Sequence, residues 1–270
     1  MTNKALLVGI NKYKLPGCNL NGCVNDVTNV RDILLKYFGF SIKEIRVLVD
    51  ERATKANIIS RLKWLVNGAK QGDKLLFHFS GHGSQIVDRD GDELKDKMDE
   101  LICPHDMDWD GNFIADDDLE KIFSGVPTVV NLEVLLDCCH SGTGTRETMA
   151  INMLPPELSF KSRFLPPPID IQCRADEDME IRKLLRKHNS LNHVLFAGCQ
   201  SNQTSADAYI NGSYNGAFTY YLCKHLRETQ GNIRRAELLR RTRASIKFNG
   251  YSQIPQLEAP VAEKKKKMLE

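Results

Sequence analysis

The stretch LLDCCHSGTG, residues 135–144, sets apolar residues before an acid, two adjacent thiols, a histidine and then small residues. An apolar run that breaks into small residues reads as a buried strand entering a tight turn. KLLFHFSGHG, residues 74–83, has the same shape and ends in Ser-Gly-His-Gly. Ligands of open parallel sheets sit beyond the carboxyl ends of the strands, so two strands that end in chemistry-bearing residues point to such a sheet. The surrounding sequence agrees. KALLVGI (4–10) and EIRVLVD (44–50) read as strands, and between them Val24, Val27, Val30, Ile33, Leu34 and Tyr37 recur at helical spacing up to Gly39. TKANIISRLKWLVNGAKQGD (54–73) reads as a helix capped by Thr54. DDDLEKIFSGV (116–126) reads as a short helix and HVLFAGCQ (193–200) as a further strand. NGAFTYYLCKHLRET (215–229) and RRAELLRRTRASIKF (234–248) are amphipathic helices, and SQIPQLE (252–258) reads as a last strand. Alternation of strands and helices predicts an α/β fold with a mostly parallel sheet. Two stretches fall outside that pattern. Residues 84–118 read as an acidic loop with one apolar piece, ELICP, and residues 143–190 as a proline-dense connection around LPPELSFKSRFLPPP.

The chain has 270 residues, 41% apolar and 27% charged, and a net charge of +2. That is the balance of a soluble globular protein, and it gives no electrostatic case for a nucleic-acid partner. No apolar run approaches the roughly 18 residues of a membrane span. The start, MTNKALLVGI, lacks a long secretory h-region, so a cytoplasmic location is expected. The eight cysteines include no CxxC pair and no zinc spacing, and they read as reduced, mostly core residues. The basic run Lys264–Lys267 reads as a solvated tail.

The two strand ends offer a nucleophile and a base. A thiolate attacks, an imidazole takes its proton, and backbone N–H groups hold the oxyanion. Period-2 geometry sends Cys138 and Cys139 to opposite faces, with Cys139 on the side of Asp137. His140 is too close in sequence to reach the Cys139 sulfur productively. His82, arriving from the other strand, is the better base, and His78 inside the strand reads as packed. In the acidic loop, Asp106, Asp108, Asp110, Gly111 and Asp117 copy EF-hand loop spacing, but the segment before them reads as strand, not helix.

HFSGHGSQ and LLDCCHSGTG resemble the two signatures of the caspase-like cysteine peptidases, specifically the metacaspases. ALLVGINKY, LNGCVNDV, DELICPHD, IADDDL and HVLFAGCQSNQTSADAYINGSYNGAFTYYL are similar to further metacaspase blocks in the same order. The resemblance implies a caspase-like α/β fold, with a mostly parallel central sheet and helices on both faces. It implies a single peptidase domain. Residues 1–142 would be its large-subunit-like region, 143–190 a connection, 191–257 the small-subunit-like region and 258–270 a tail. His82 and Cys139 would form the dyad, with the N–H groups of Gly83 and Cys139 as oxyanion donors and Cys138 an inert neighbour. The expected reaction is hydrolysis of protein or peptide substrates after Arg or Lys through a thioester. Asp26, Asp137 and Ser80 would line the pocket for the substrate cation, where carboxylates are the natural partners. Calcium would be held by Asp99, Asp116 and Asp117, although the family's further ligand falls near Arg146, a cation. Self-processing of a zymogen would fall in the connection, where the basic candidates are Arg146, Lys161, Arg163, Arg174, Arg182, Lys183, Arg186 and Lys187. A monomer is expected. The competing readings are a small-molecule amidase on the same dyad and an inactive scaffold that binds a protein partner.

Overall fold

Three seven-residue apolar runs form the middle of the sheet: β1 (Asn3–Gly9), β3 (Lys74–Ser80) and β7 (Asn131–Asp137). The computed structural model describes residues 2–87, 98–140, 160–173, 193–200 and 203–270. β2 (Ile45–Val49), β9 (Val194–Ala197) and β12 (Gln256–Glu258) complete a six-stranded sheet of order β12-β9-β7-β3-β1-β2. All its pairings are parallel except β12 with β9. The register puts Gly9 opposite Ser80, and Ser80 opposite Asp137. The three strands therefore stop in step, and the residues after them emerge at one end of the sheet.

Helices cover both faces because the strands alternate between two cores. Leu6, Val8, Leu132, Val134, Leu136 and Cys138 pack toward α2 (Lys55–Val66) and α3 (Asp116–Phe123). Ala5, Leu7 and Leu135 pack toward α1 (Cys23–Tyr37) and two later helices, Ala217–Glu228 and Arg235–Phe248. Thr54 caps α2 by accepting the N–H of Asn57, as its residue type predicts.

The acidic stretch is more ordered than a loop. β4 (Gly83–Val87), β5 (Met98–Ile102) and β6 (Ile114–Ala115) form an antiparallel sheet. Its apolar piece is the reason: Leu101, Ile102 and Ile114 are buried in the α2–α3 core. A third sheet joins β8 (Phe160–Ser162) to the hairpin β10 (Ala206–Ile210) and β11 (Ser213–Gly216). Asn211 and Gly212 carry positive φ of 51° and 88° at the hairpin tip, as a two-residue Asn-Gly turn requires. The short helix α4 (Ile169–Cys173) follows β8. The helices at 217–228 and 235–248 are α5 and α6.

The basic C-terminal run is docked rather than loose, although Lys265, Lys266 and Lys267 keep their side chains exposed. It enters α7 (Val261–Lys264), Lys267 bridges Arg234, and Met268 and Leu269 are buried. The anchor is Glu133, buried in β7. It accepts two bonds from the Arg235 guanidinium, at 2.7 and 2.9 Å, and the N–H of Leu269. The junctions expected at 142/143 and 190/191 lie outside the described residues, as do Arg146, Arg174, Arg182, Lys183, Arg186 and Lys187.

Candidate active site

The aligned ends of β3 and β7 bring Gly83 onto Cys139. A Cβ on Gly83 would lie 2.3 Å from the Cys139 carbonyl oxygen, so only glycine allows this approach. His82 precedes Gly83 and is buried, its ring centroid 4.9 Å from that of Tyr13. Its backbone N–H donates to the Tyr13 hydroxyl oxygen at 2.7 Å. Its Nε2 lies 2.7 Å from the Cys18 carbonyl oxygen. A carbonyl can only accept, so Nε2 carries the proton and Nδ1 presents the lone pair. That Nδ1 is buried and has no hydrogen-bond partner among the described residues. Burial lowers the imidazole pKa from 6.5 to about 4, which keeps the ring neutral at pH 7.

Cys139 is buried, with its sulfur against the Ser205 N–H and 3.2 Å from the Cys199 sulfur. Burial pushes its thiol well above the ordinary range, so the group is protonated in this arrangement. Among the described residues, no hydrogen bond joins it to His82. Cys138 faces the opposite core, its sulfur 3.8 Å from His140 Nε2. His140 Nε2 also lies 3.6 Å from a Glu100 carboxylate oxygen. His78 is buried in β3, with Nε2 3.4 Å from the Thr219 hydroxyl. It is packed, as its position within the strand suggests.

Beside Gly83 and Cys139 lies a sealed acidic pocket. Asp26 comes from the first turn of α1, Ser80 and Asp137 from the ends of β3 and β7, and Asp207 from β10. All four are fully buried. Each carboxylate is held by donors of the scaffold. Asp26 accepts the Ser80 hydroxyl at 2.7 Å and the Gly216 N–H at 3.0 Å. Asp137 accepts the Ser205 hydroxyl at 2.6 Å, and the Thr219 hydroxyl and N–H at 2.7 and 2.9 Å. Asp207 accepts the N–H groups of Asn21 and Gly22 at 2.7 and 2.8 Å. Burial raises the Asp26 pKa to about 7; Arg163 pulls it down and Asp137 pushes it up.

Arg163 fills this pocket and is fully buried. One guanidinium nitrogen lies 2.8 Å from Asp26 and 3.0 Å from Asp207. The other lies 3.3 Å from an Asp137 carboxylate oxygen and 2.8 Å from the Ser80 hydroxyl oxygen. Motif reading reached Asp26, Asp137 and Ser80 but not Asp207, nor Arg163 as the occupant. The one available signal for Asp207 was an acid inside the strand-like run ADAYI.

The expected calcium ligands sit on neighbouring elements: Asp99 in β5, and Asp116 and Asp117 in the first turn of α3. Among the described residues no group of three or more His, Cys, Asp or Glu side chains forms a metal cluster. Asp117 already carries the Lys121 ammonium at 3.4 Å. The EF-hand-like spacing has a structural use. Asp106 accepts the Lys55 N–H at the start of α2 (2.8 Å), and Asp108 accepts the N–H groups of Asp110 and Asn112, each at 3.0 Å.

Residues 3–146 match the family described as metacaspase, peptidase C14 domain. Metacaspase-2 of Trypanosoma brucei brucei is 34% identical, over 97% of this chain and 74% of its own length. Metacaspase-1 of Schizosaccharomyces pombe is 33% identical, over 94% of this chain and 66% of its own. The chain spans 63% of the length of Metacaspase-1 from Eremothecium gossypii, at 28% identity. Among solved structures, protein GSU0716 from Geobacter sulfurreducens superposes with a TM-score of 0.70 at 24% identity, covering 98% of this chain and 97% of that one. Caspase-1 from Spodoptera frugiperda superposes with a TM-score of 0.60 at 13% identity, over 95% and 88% of the two chains. At these identities the two structures speak for the fold, which is caspase-like.

Proposed function

The chain belongs to the metacaspase family, and from that membership we propose that it is a cysteine endopeptidase cutting after Arg or Lys, with Cys139 as nucleophile and His82 as base. The observation that carries the cation preference is the pocket in which Asp26, Asp137 and Asp207 surround a guanidinium. Those carboxylates are oriented by the scaffold, so the pocket is prepared for a cation before any substrate binds. An Asp or Glu side chain there would meet like charges without water, which is strongly unfavourable.

In the proposed reaction the Cys139 thiol yields its proton to Nδ1 of His82, whose tautomer is set by the Cys18 carbonyl. The sulfur attacks the carbonyl carbon, and the Gly83 N–H stabilises the oxygen as it becomes negative. His82 then protonates the leaving amine, and water hydrolyses the thioester. No step runs through calcium. Calcium activation is proposed from the family resemblance, with Asp99, Asp116 and Asp117 as its ligands, and is checked by titrating calcium against a chelator. A monomeric, cytoplasmic enzyme belongs to the same reading, and light scattering tests the first of these.

The deciding experiment uses fluorogenic peptides ending in Arg, Lys or Asp amides. The Arg and Lys peptides are hydrolysed, the Asp peptide is not, and Cys139→Ala lowers the rate at least ~10³-fold. Equal turnover by Cys139→Ala, or preference for the Asp peptide, would end the proposal.

A further inference from the structure

The two glycines of the Ser-Gly-His-Gly turn admit different neighbours. Gly83 admits the Cys139 backbone, and Gly81 admits a side chain. A Cβ on Gly81 would lie 2.6 Å from the Tyr13 hydroxyl oxygen and 2.9 Å from the Phe79 ring. That hydroxyl accepts the His82 N–H at 2.7 Å. The Tyr13 ring centroid stands 4.9 Å from that of the imidazole, the planes tilted by 54°. Tyr13 therefore meets His82 at its backbone and at its side chain. Tyr13 is itself fixed, buried in the loop between β1 and α1. Its N–H donates to the Asn19 side-chain oxygen at 3.0 Å, and the Lys14 N–H donates to the His105 carbonyl at 3.0 Å. Two residues earlier, the Asn11 N–H donates to an Asp50 carboxylate oxygen at 2.8 Å. Burial keeps the phenol neutral, so it is no acid or base at working pH. The contact extends toward the oxyanion donor. The His82 carbonyl shares a peptide plane with the Gly83 N–H and accepts the Cys103 N–H at 3.0 Å. The Gly83 N–H donates to the Arg163 carbonyl at 2.9 Å, which is where a chain with its guanidinium in the cation pocket sets its carbonyl.

We propose that Tyr13 is a positioning residue of the dyad: its hydroxyl fixes the peptide of His82, its ring walls the imidazole, and together they hold Nδ1 and the Gly83 N–H where the reaction needs them. This rests on the peptidase reading above. Among the described residues Tyr13 makes no hydrogen bond to Cys139 or to the pocket carboxylates. It therefore acts through His82 and Gly83, on the transition state and not on binding of the cation. Without the hydroxyl the His82 N–H is buried with no acceptor, and the turn shifts to find one. A small shift of a base and an oxyanion donor is enough to cost much of the rate.

The test compares wild type, Tyr13→Phe and Tyr13→Leu on a fluorogenic Arg-amide peptide, with two inhibitors. One is agmatine, a guanidinium without a carbonyl. The other is a peptide aldehyde ending in Arg, to which Cys139 adds as it would to a substrate. Tyr13→Phe lowers kcat at least ~10-fold, with KM within about 2-fold of wild type. The agmatine Ki does not move, because the pocket carboxylates are untouched, and the aldehyde Ki rises in step with the fall in kcat/KM. Tyr13→Leu removes the ring as well and falls further. Gly81→Ala crowds the hydroxyl with Tyr13 in place; it gives the same pattern and carries the test should Tyr13→Phe not fold. Two results overturn the inference while the peptidase reading stands. One is a Tyr13→Phe kcat equal to wild type. The other is agmatine weakened as much as the aldehyde, the mark of a fold loosened throughout. If wild type does not hydrolyse the Arg peptide, the peptidase reading fails and the inference with it.

Discussion

Gly83 does two jobs that no other residue could combine. Its N–H points at a substrate-like carbonyl, and its missing side chain lets the Cys139 carbonyl approach. Gly83→Ala forces the backbone apart and moves that N–H, so the loss falls on the transition state. We expect kcat for the Arg peptide to drop roughly 10²–10³-fold, the cost of one oxyanion donor, with KM changed far less. Asp137→Asn should act the other way round. It removes one carboxylate from the cation pocket, so KM for Arg and Lys peptides rises while the Cys139 chemistry is spared; steady-state kinetics on both variants separates the two roles. Gly83, His82 and Cys139 were legible because each lies in a short contiguous motif at a strand end, and Asp26, Asp137 and Ser80 because they lie beside such motifs. Asp207 was not, because its meaning comes from the hairpin folding back beside α1. Tyr13, Cys199 and the Cys18 carbonyl were missed for the same reason. They act on the dyad residues by contact across the fold, and their local sequence carries no mark of it.

Strand β3 shows what an element can hide. It reads as an apolar run, yet it buries His78 with its Nδ1 unpartnered among the described residues. Burial lowers this imidazole to about 4 from 6.5. Between those values the unfolded chain binds a proton that the folded chain refuses. The His78 contribution is therefore fully present above pH 6.5 and is lost as pH falls toward 4. His78→Leu removes that term. Thermal unfolding in a Cys139→Ala background should show the variant gaining on its parent as pH drops from 6.5 to 4.5; a constant gap would mean His78 is not buried neutral. The parallel strands and their helices were legible from period and length, because each element has one or two buried faces. The two small antiparallel sheets were not. β4–β6 is built from few apolar residues inside an acidic stretch, and β8 is a three-residue strand in a proline-dense one. The Asn211-Gly212 turn was a usable hairpin signal; the strands beside it, with Asp207 and Asn215, look too polar to be buried, although both residues are.

At the scale of the molecule, the centre of the sheet is tied to the last residues of the chain through one ion pair. Glu133 sits in β7, Arg235 opens α6, and both are fully buried. Arg235 also reaches the Glu263 carbonyl at 2.9 Å and its carboxylate at 3.3 Å, while its N–H donates to the Lys266 carbonyl at 2.9 Å. Glu133 receives the Leu269 N–H in turn. A lysine run of this kind reads as a solvated tail because its side chains stay exposed; the segment is docked by its backbone, through the Lys266 carbonyl on Arg235 and the Leu269 N–H on Glu133. Burial raises the Glu133 pKa and Arg235 holds it down, so removing the arginine leaves a buried acid with only the Leu269 N–H to oppose its desolvation. We expect Arg235→Ala to cost about 3–5 kcal/mol in urea unfolding of the Cys139→Ala protein, and to release residues 265–270 to protease. Replacing both partners, Glu133→Leu with Arg235→Met, should restore most of that stability, since two apolar side chains carry no desolvation penalty. The C-terminal segment should stay loose in the double variant, because the Leu269 N–H has lost its acceptor. Recovery of both stability and protease resistance would mean that the apolar contacts of Met268 and Leu269, not the ion pair, dock the end of the chain.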